Sequence, residues 1–342
     1  MDVTVRGGGV FGLSIAYACA LRGARVRVIE RHSIGAGASG GIVGALAPHV
    51  PEAWNTKKQF QLDSLLMAPE FWAGVEAVSG CKTGYARQGR LQPVPAGGLE
   101  LARARGIGAQ SLWQGAAEWQ VIERGDWGPV SPTGWFVHDT LTARISPRAA
   151  CFALAAAVTA LGGDIVLGEG ADRGAVVWAT GVDGLAGLSA DLGRAVGGAE
   201  KGQALLLRFD APGRPQILAD GLHIVPHWDG TVAVGSTSER VFEGLNTDEL
   251  LDALHARAVG LMPVLAGAAV LERWAGLRPR AATRAPVMGQ WPGRAGWFVA
   301  NGGFKIGFGM APMVATVMAD LVLEGRDRVP EGFRVLDAIG KQ

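Results

Sequence analysis

The chain of 342 residues is 49% hydrophobic and 18% charged, which excludes a disordered chain and leaves room for one large domain or two interleaved ones. A formal net charge of +1 excludes a strong overall field for nucleic acid or an acidic membrane, leaving only local patches. The cysteines Cys19, Cys81 and Cys151 are odd in number and form no CxxC pair, so neither a disulfide framework nor a zinc site is expected.

The N-terminus enters a strand-like run almost at once, Val3-Thr4-Val5, without the regions of a secretory signal. GGGVFG follows, then an apolar helical run over 10–21 with Gly23 placed as a C-cap, then the alternating ARVRVIE of 24–30. Together these predict a strand–turn–helix–strand unit of about thirty residues. The glycine-rich 35–48 is too irregular for a strand, and a helix is expected over 56–79. Segments 86–94, 134–139, 202–209, 221–230 and 231–239 read as strands of a mostly antiparallel sheet, with 227–230 as a hairpin turn. Between these groups, 146–163 reads as a helix with Ser146 as N-cap and Pro147 at N1, and AVVWATG of 175–181 as a buried strand ending in a glycine turn. The chain closes with a strand in GWFVANGG and a helix over 310–323 that carries Asp320. This helix and that of 10–21 are both too short to span a bilayer, so a cytoplasmic protein with no integral membrane segment is expected.

Gly7, Gly9 and Gly12 form GxGxxG directly after a strand and at the opening of a helix. Gly7 permits the tight turn, Gly9 lets backbone approach a pyrophosphate, and Gly12 allows close helix packing. The helix N-terminus offers N–H groups and a partial positive charge to that pyrophosphate. Glu30 ends the second strand, 18 residues after Gly12, where a carboxylate accepts hydrogen bonds from an adenosine ribose. An acidic residue there argues against a 2′-phosphate. A glycine turn with no ligand explains fewer of these features.

The motif alone leaves the dinucleotide open. ERHSIGAGASGG (30–41), VVWATG (176–181), KGQALLL (201–207), IVPHWDGTVAVGSTSE (224–239), WAGLRPRAATRAPVMG (274–289) and NGGFKIGFGMAP (301–312) narrow it. In order, and over nearly the whole chain, they resemble the FAD-dependent amine and amino-acid oxidoreductases of the D-amino-acid oxidase type, the group of glycine oxidase and monomeric sarcosine oxidase. The resemblance implies FAD in an extended pose and a substrate sheet over the flavin. It also implies hydride transfer from a carbon bearing nitrogen, giving an imine that hydrolyses. The expected architecture is α/β: a Rossmann-type FAD-binding domain from 1–80, 140–200 and 270–342, interleaved with an antiparallel-sheet (α+β) substrate domain from 81–139 and 201–269.

Carried over by position, Ser39 and Gly40 would lie beside the pyrophosphate or flavin, with Arg31 in the same segment among the cofactor residues. Ala179, Thr180 and Gly181 would pass the dinucleotide by backbone, and Gly302 to Gly309 would run past the isoalloxazine, with Gly302, Gly303, Phe304, Lys305 and Ile306 counted among the cofactor residues. Arg278 falls at the arginine of GLRP, which resembles the substrate-carboxylate arginine of glycine oxidase; an interdomain salt bridge is the alternative. Lys305 falls where glycine oxidase-like proteins carry a second arginine, and where the lysine of GHGFK holds the carboxylate in sarcosine oxidase-like proteins. A cation beside an apolar flavin face would anchor a carboxylate, Arg bidentately and Lys as a compact point charge. A solvent-facing lysine remains the bland reading.

Arg280 and Arg284 are expected to be solvated or structural, and His49, His138 and His227 to be turn or sheet residues. Sarcosine oxidase-like enzymes attach FAD through a cysteine whose counterpart here is Ala275, so non-covalent FAD is expected. Gly303 departs from the histidine of some relatives, so the substrate is not copied from any of them. The expected partners are a small amine or amino acid and an oxygen or quinone-linked electron acceptor, with no metal and no nucleic acid. Two alternatives stand beside this reading. RPRAATRAPVMG (278–289) is similar to the flavin domain of enzymes that trim a carboxymethylaminomethyl group on wobble uridine of tRNA, against which the near-neutral charge counts. The other is a non-catalytic flavoprotein subunit.

Overall fold

In the computed structural model, which describes residues 1–339, the chain begins β1 (Asp2–Arg6), α1 (Val10–Leu21), β2 (Arg25–Glu30), β3 (Ala45–Leu46) and α2 (Thr56–Ser79). It continues through β4 (Arg90–Pro93), α3 (Leu99–Trp113), β5 (Trp119–Glu123), β6 (Trp135–Asp139), β7 (Ala143–Arg144) and α4 (Pro147–Ala160). Next come β8 (Asp164–Leu167), β9 (Ala175–Trp178), α5 (Gly181–Leu192), β10 (Gly197–Arg208), β11 (Gln216–Ala219), β12 (Leu222–Pro226) and β13 (Thr231–Gly235). The last are α6 (Glu249–Leu261), β14 (Val270–Ala281), β15 (Val287–Gln290), β16 (Trp297–Asn301), α7 (Gly307–Glu324) and α8 (Val335–Ala338).

The valine-rich β1 and β9 lie inside a six-stranded sheet of order β15-β16-β9-β1-β2-β8, parallel except where β15 pairs with β16. Strands covered on both faces read as near-continuous apolar runs, and Val3 and Val5 are fully buried. Helices α1, α2, α4 and α7 pack together beside this sheet, enclosing Leu13, Ile15, Leu65, Trp72 and Leu154. Each such side chain contributes about 1.5–3 kcal/mol through its burial. Asn55 starts α2 by accepting from the Lys58 N–H at 3.1 Å, and Gly80 ends it in the left-handed region at φ 68°. Ser146 stands at the N-cap of α4 as expected, but its side chain makes no capping bond.

The second sheet has eight strands in the order β14-β10-β13-β12-β11-β4-β6-β5. It is antiparallel except for the β4–β11 pair. One face, with Leu205, Ile224 and Val234, packs on Leu251, Leu254 and Ala258 of α6. The other face is turned toward the turns of the parallel sheet.

Four differences separate the structure from the sequence expectation. β14 covers 270–281 in the antiparallel sheet, whereas 270–342 was assigned to the dinucleotide domain; β10 likewise begins at 197, before the expected step at 201. The two long strands pair without a shift from Gly197 to Leu206, so neither breaks where the composition changes. Residues 340–342 of the assigned segment lie outside the described residues. The helix α3 is hidden in the sequence by Gly106 and Gly108, which weaken helix propensity. A β-carbon at Gly108 would press on the Pro51 carbonyl at 2.6 Å. The expected strand over 86–94 shortens to β4 because Gly89 takes φ 78°. The closing helix starts three residues earlier than expected, at Gly307. Among the described helices α7 alone is long and apolar enough to cross a membrane, and 67% of it is buried in the fold.

Candidate active site

The crevice begins at the carboxyl ends of β1 and β2. Gly7, at φ 111°, donates its N–H to the Ile29 carbonyl at 2.9 Å, and its α-carbon lies so close to the Ala179 carbonyl that any side chain would collide. Gly12 is pressed against the Gly7 carbonyl in the same way, which brings α1 down onto the turn. Gly9 is the N-cap of α1 and supplies no side-chain cap. Ser39 reaches in instead: its Oγ accepts from the Val10 N–H at 2.9 Å, and its hydroxyl keeps a proton to donate. Glu30 Oε2 accepts from the Gly8 N–H at 2.7 Å and Oε1 from the His32 N–H at 2.9 Å. The carboxylate thus braces the glycine turn, and each oxygen keeps a second lone pair for a hydroxyl donor.

Two further turns complete the crevice. Ala179 donates to the Arg6 carbonyl at 2.8 Å, so the Ala179-Thr180-Gly181 turn lies directly beside Gly7. Thr180 is the N-cap of α5 and makes no side-chain cap. Asn301, buried, donates to the Gly181 carbonyl at 2.8 Å and accepts from the Gly302 N–H at 2.7 Å. It therefore locks the Gly302–Ile306 turn to the Ala179–Gly181 turn. Glycine N–H groups, a helix N-terminus and a hydroxyl as donors, with a carboxylate as acceptor, are the groups that a dinucleotide needs, and the residues present fit one.

The register of the antiparallel sheet assembles the opposite wall. His223 pairs with Gly235, Gly235 with Ala204, and Ala204 with Trp274; two residues along β10 Gly202 faces Gly276, and two further Glu200 faces Arg278. Paired residues share a face, so these side chains all project from one side of the sheet. A β-carbon on Gly235 would meet Val43 Cγ2 and one on Gly41 would meet the Trp274 ring, so the face looks onto the loop after β2. Glycine and alanine at 202, 204, 235 and 276 give a shallow floor, and around it stand groups able to bind.

Arg278 lies across Gly202 and is buried. Its Nη1 donates to the Thr237 carbonyl at 3.1 Å and the Lys201 carbonyl at 3.4 Å, and Nη2 to Ser236 Oγ at 2.6 Å. These are carbonyl and hydroxyl partners, not the interdomain salt bridge that the sequence left as an alternative. Burial opposes its charge, while Glu200 and Glu239 favour it.

Lys305 reaches the same wall from the turn. Phe304, a non-glycine residue at φ 47°, donates its N–H to the Pro279 carbonyl at 3.0 Å, and Gly303 bridges Arg280. This strained residue fixes the turn against the end of β14. The Lys305 side chain is 49% exposed, 5.3 Å above the Phe304 ring and 3.9 Å from Glu200 Oε1. Burial, then Arg278, hold its ammonium below the usual lysine range, against the pull of Glu200.

Several residues of this wall are not marked in the sequence. Glu200 is buried, accepts from the Ser238 hydroxyl, and has Arg240 at 3.8 Å and Arg280 at 4.0 Å. Arg280, expected to be solvated or structural, is half-buried and stands on this wall beside Glu200. His223 has a buried Nδ1 without a partner, and burial, Arg90 and Lys305 lower its pKa to about 4. The period-two alternation of LHIVPH could have shown it: Leu222, Ile224 and Pro226 take one face, so His223 takes the other.

Other candidates lie apart. Arg31 is exposed and paired with Asp183 of α5 at 3.1 Å, at the rim of the crevice. Gly40 sits in the turn below Ser39, with its carbonyl accepting from Arg148 at 2.7 Å. His227 ties the sheet to the Ile42 carbonyl at 3.0 Å, and the His49 N–H donates to Gln61 at 3.1 Å. His138 is a ladder residue of β6 beside the buried Asp139–Arg90 pair. Cys151 is buried near Gly35, and burial pushes its thiol up to about 12.

The family model for FAD dependent oxidoreductases, DAO, matches residues 2–321. The bifunctional protein ThiO/ThiG of Trichormus variabilis is 29% identical over 351 residues, covering 94% of this chain and 53% of the relative. The chain thus spans about half the length of such relatives. Glycine oxidase of Geobacillus kaustophilus is 25% identical over 366 residues, 94% of this chain and 92% of the relative. The crystal structure of glycine oxidase from Geobacillus kaustophilus superposes with a TM-score of 0.85 at 22% identity, covering 100% of this chain and 98% of that one, a likeness of fold.

Proposed function

Because the chain belongs to the FAD dependent oxidoreductase family, we propose that it oxidises the C–N bond of a small amino acid or carboxylate-bearing amine to an imine. FAD, when bound, accepts the hydride equivalent given up by the carbon that bears nitrogen. The turn of Gly7, Gly9 and Gly12 and the N-terminus of α1 would hold its pyrophosphate, with the Ser39 hydroxyl donating to it. Glu30 would accept from the ribose hydroxyls with its free lone pairs. Gly40, Ala179–Gly181 and Gly302–Ile306 would border the cofactor by backbone, and Arg31 would close the rim by its pair with Asp183. Attachment is non-covalent in this reading, since Ala275 stands where sarcosine oxidase-like proteins carry the linking cysteine.

The observation that carries the proposal is the convergence of Arg278 and Lys305 beside a floor of small residues, opposite the dinucleotide turns. The two cations would take the substrate carboxylate. Arg278 is pre-set by its bonds to Ser236 and Thr237, so it loses little freedom on binding. Lys305 adds a point charge from the other side. His223, uncharged at neutral pH, offers a ring nitrogen to the amine without electrostatic opposition to its developing positive charge. An acceptor, oxygen or a quinone-linked carrier, would then take the electrons, and a cytoplasmic location belongs to the same reading.

The test is a product balance. Incubating the FAD-loaded protein with glycine, N-methylglycine and iminodiacetate should release the corresponding amine or ammonia with the matching oxo acid. Hydrogen peroxide in equal amount would assign oxygen as acceptor, and its absence while an added quinone is consumed would assign the carrier. Release of neither product by any carboxylate-bearing amine would remove the proposal.

A further inference from the structure

Glu200 is the one acidic side chain among the described residues within ion-pair distance of Lys305. Its neighbours divide between its two oxygens. Oε1 takes the Ser238 hydroxyl and faces Lys305 at 3.9 Å, while Oε2 faces Arg240 at 3.8 Å and Arg280 at 4.0 Å. Arg278 is its register partner on β14. Arg280 and Lys305 also share the Phe304 ring, at 5.9 Å and 5.3 Å from its centroid. Without an anion between them, these cations would repel one another across the chamber, the space between this wall and the dinucleotide turns.

A purely structural role would look different, and the same strand supplies the comparison. Lys201, on the opposite face of β10, is fully buried and closes on Asp248 at 3.0 Å and Glu239 at 3.3 Å. The cations around Glu200 stand off at 3.8–4.0 Å, beyond hydrogen-bond reach. Their donors therefore remain open to a ligand while one unit of their shared positive charge is already offset, and the excess that is left favours an anion. The carboxylate itself is only 6% exposed, so solvent screens it little.

We propose that Glu200 is a positioning residue, a resident counter-ion that keeps the Lys305 ammonium charged and turned into the chamber while leaving its donors free for the substrate carboxylate. Anion binding by the turn is thus set from β10. The inference rests on Lys305 as the carboxylate anchor. The groups facing Lys305 are Glu200 from β10, Arg278 and Arg280 from β14, and His223 from β12. Removing Glu200 leaves burial and Arg278, both of which disfavour the charged lysine.

The test is calorimetric binding of acetate to the FAD-loaded protein from pH 7 to 10.5, in wild type, Glu200→Gln, Lys305→Arg and the double variant. In wild type, affinity falls along an alkaline limb as Lys305 loses its proton. Glu200→Gln moves that limb about one unit to lower pH, the lower end of the effect of a charge at this distance, because Lys305 is half exposed. Lys305→Arg abolishes the limb, since guanidinium does not titrate there, and adding Glu200→Gln then changes affinity by the same factor at every pH. Should Glu200→Gln fail to load FAD, Glu200→Asp shifts the limb in the same direction by less. An alkaline limb at its wild-type position in the Glu200 variants overturns the proposal. A limb that persists in Lys305→Arg overturns instead the anchor role on which the proposal rests.

Discussion

Gly202→Ala isolates the role of Arg278 without touching the arginine. A β-carbon at 202 would fall 1.9 Å from Arg278 Nη2 and 2.1 Å from Cζ and Nη1, inside the guanidinium. The backbone at 202 is ordinary extended strand, so alanine itself is tolerated, and the obstacle is the tip of a flexible side chain. The guanidinium must swing off the floor and abandon Ser236, Thr237 and the Lys201 carbonyl. A charge-assisted hydrogen bond is worth about 1.5–3 kcal/mol, so losing the aimed arginine should raise KM for a carboxylate substrate by about 10–150-fold. Folding stability should fall by no more than about 1–3 kcal/mol, and FAD content should not change, because the dinucleotide turns lie elsewhere. The assay is steady-state kinetics beside flavin quantitation, with Gly198→Ala as control, since a β-carbon at 198 on the same strand meets nothing within 4 Å. If Gly202→Ala and Gly198→Ala have the same KM, Arg278 is not the anchor that its position implies.

Three further outcomes are expected. Lys305→Met should raise KM for carboxylate substrates by about 10–100-fold while FAD is retained, and steady-state kinetics at fixed pH measure it. Glu30→Ala removes the brace to the Gly8 and His32 N–H groups, so FAD should dissociate at least about tenfold more readily, as flavin fluorescence on dilution would record. His223 has its pKa lowered from 6.5 to about 4, so the unfolded chain binds the proton first; stability should fall as pH drops from about 6.5 toward 4. Chemical denaturation across that window should find a weaker acid dependence in His223→Gln.

The dinucleotide half of the molecule is legible in sequence because its parts are local. Strand, glycine turn, helix and the carboxylate at Glu30 fall within thirty residues, and each leaves its own mark on the local pattern. The chamber is legible only in part. Arg278 and Lys305 stand in recognisable segments, but Glu200 looks like a charged residue at a strand edge until the register sets it opposite Arg278. His223 meets Gly235 through a hairpin and then Ala204 through a third strand, so its place depends on pairings across the whole sheet. Arg280 reads as a surface cation beside Arg278 and is drawn inward only because the Gly303 turn bridges back onto β14. Helix α3 was hidden for the opposite reason: the glycines that weaken its propensity are the residues that let the Pro51 segment and β5 pack closely on it.

The most direct test of the account is anaerobic titration of the FAD-loaded protein with small amino acids and N-methyl amines, following the absorbance of the oxidised flavin. Loss of that absorbance with a carboxylate-bearing amine, at concentrations where Lys305→Met and Gly202→Ala leave it unchanged, is the predicted result. A flavin that stays oxidised with every such compound, or bleaches equally in wild type and both variants, would contradict it.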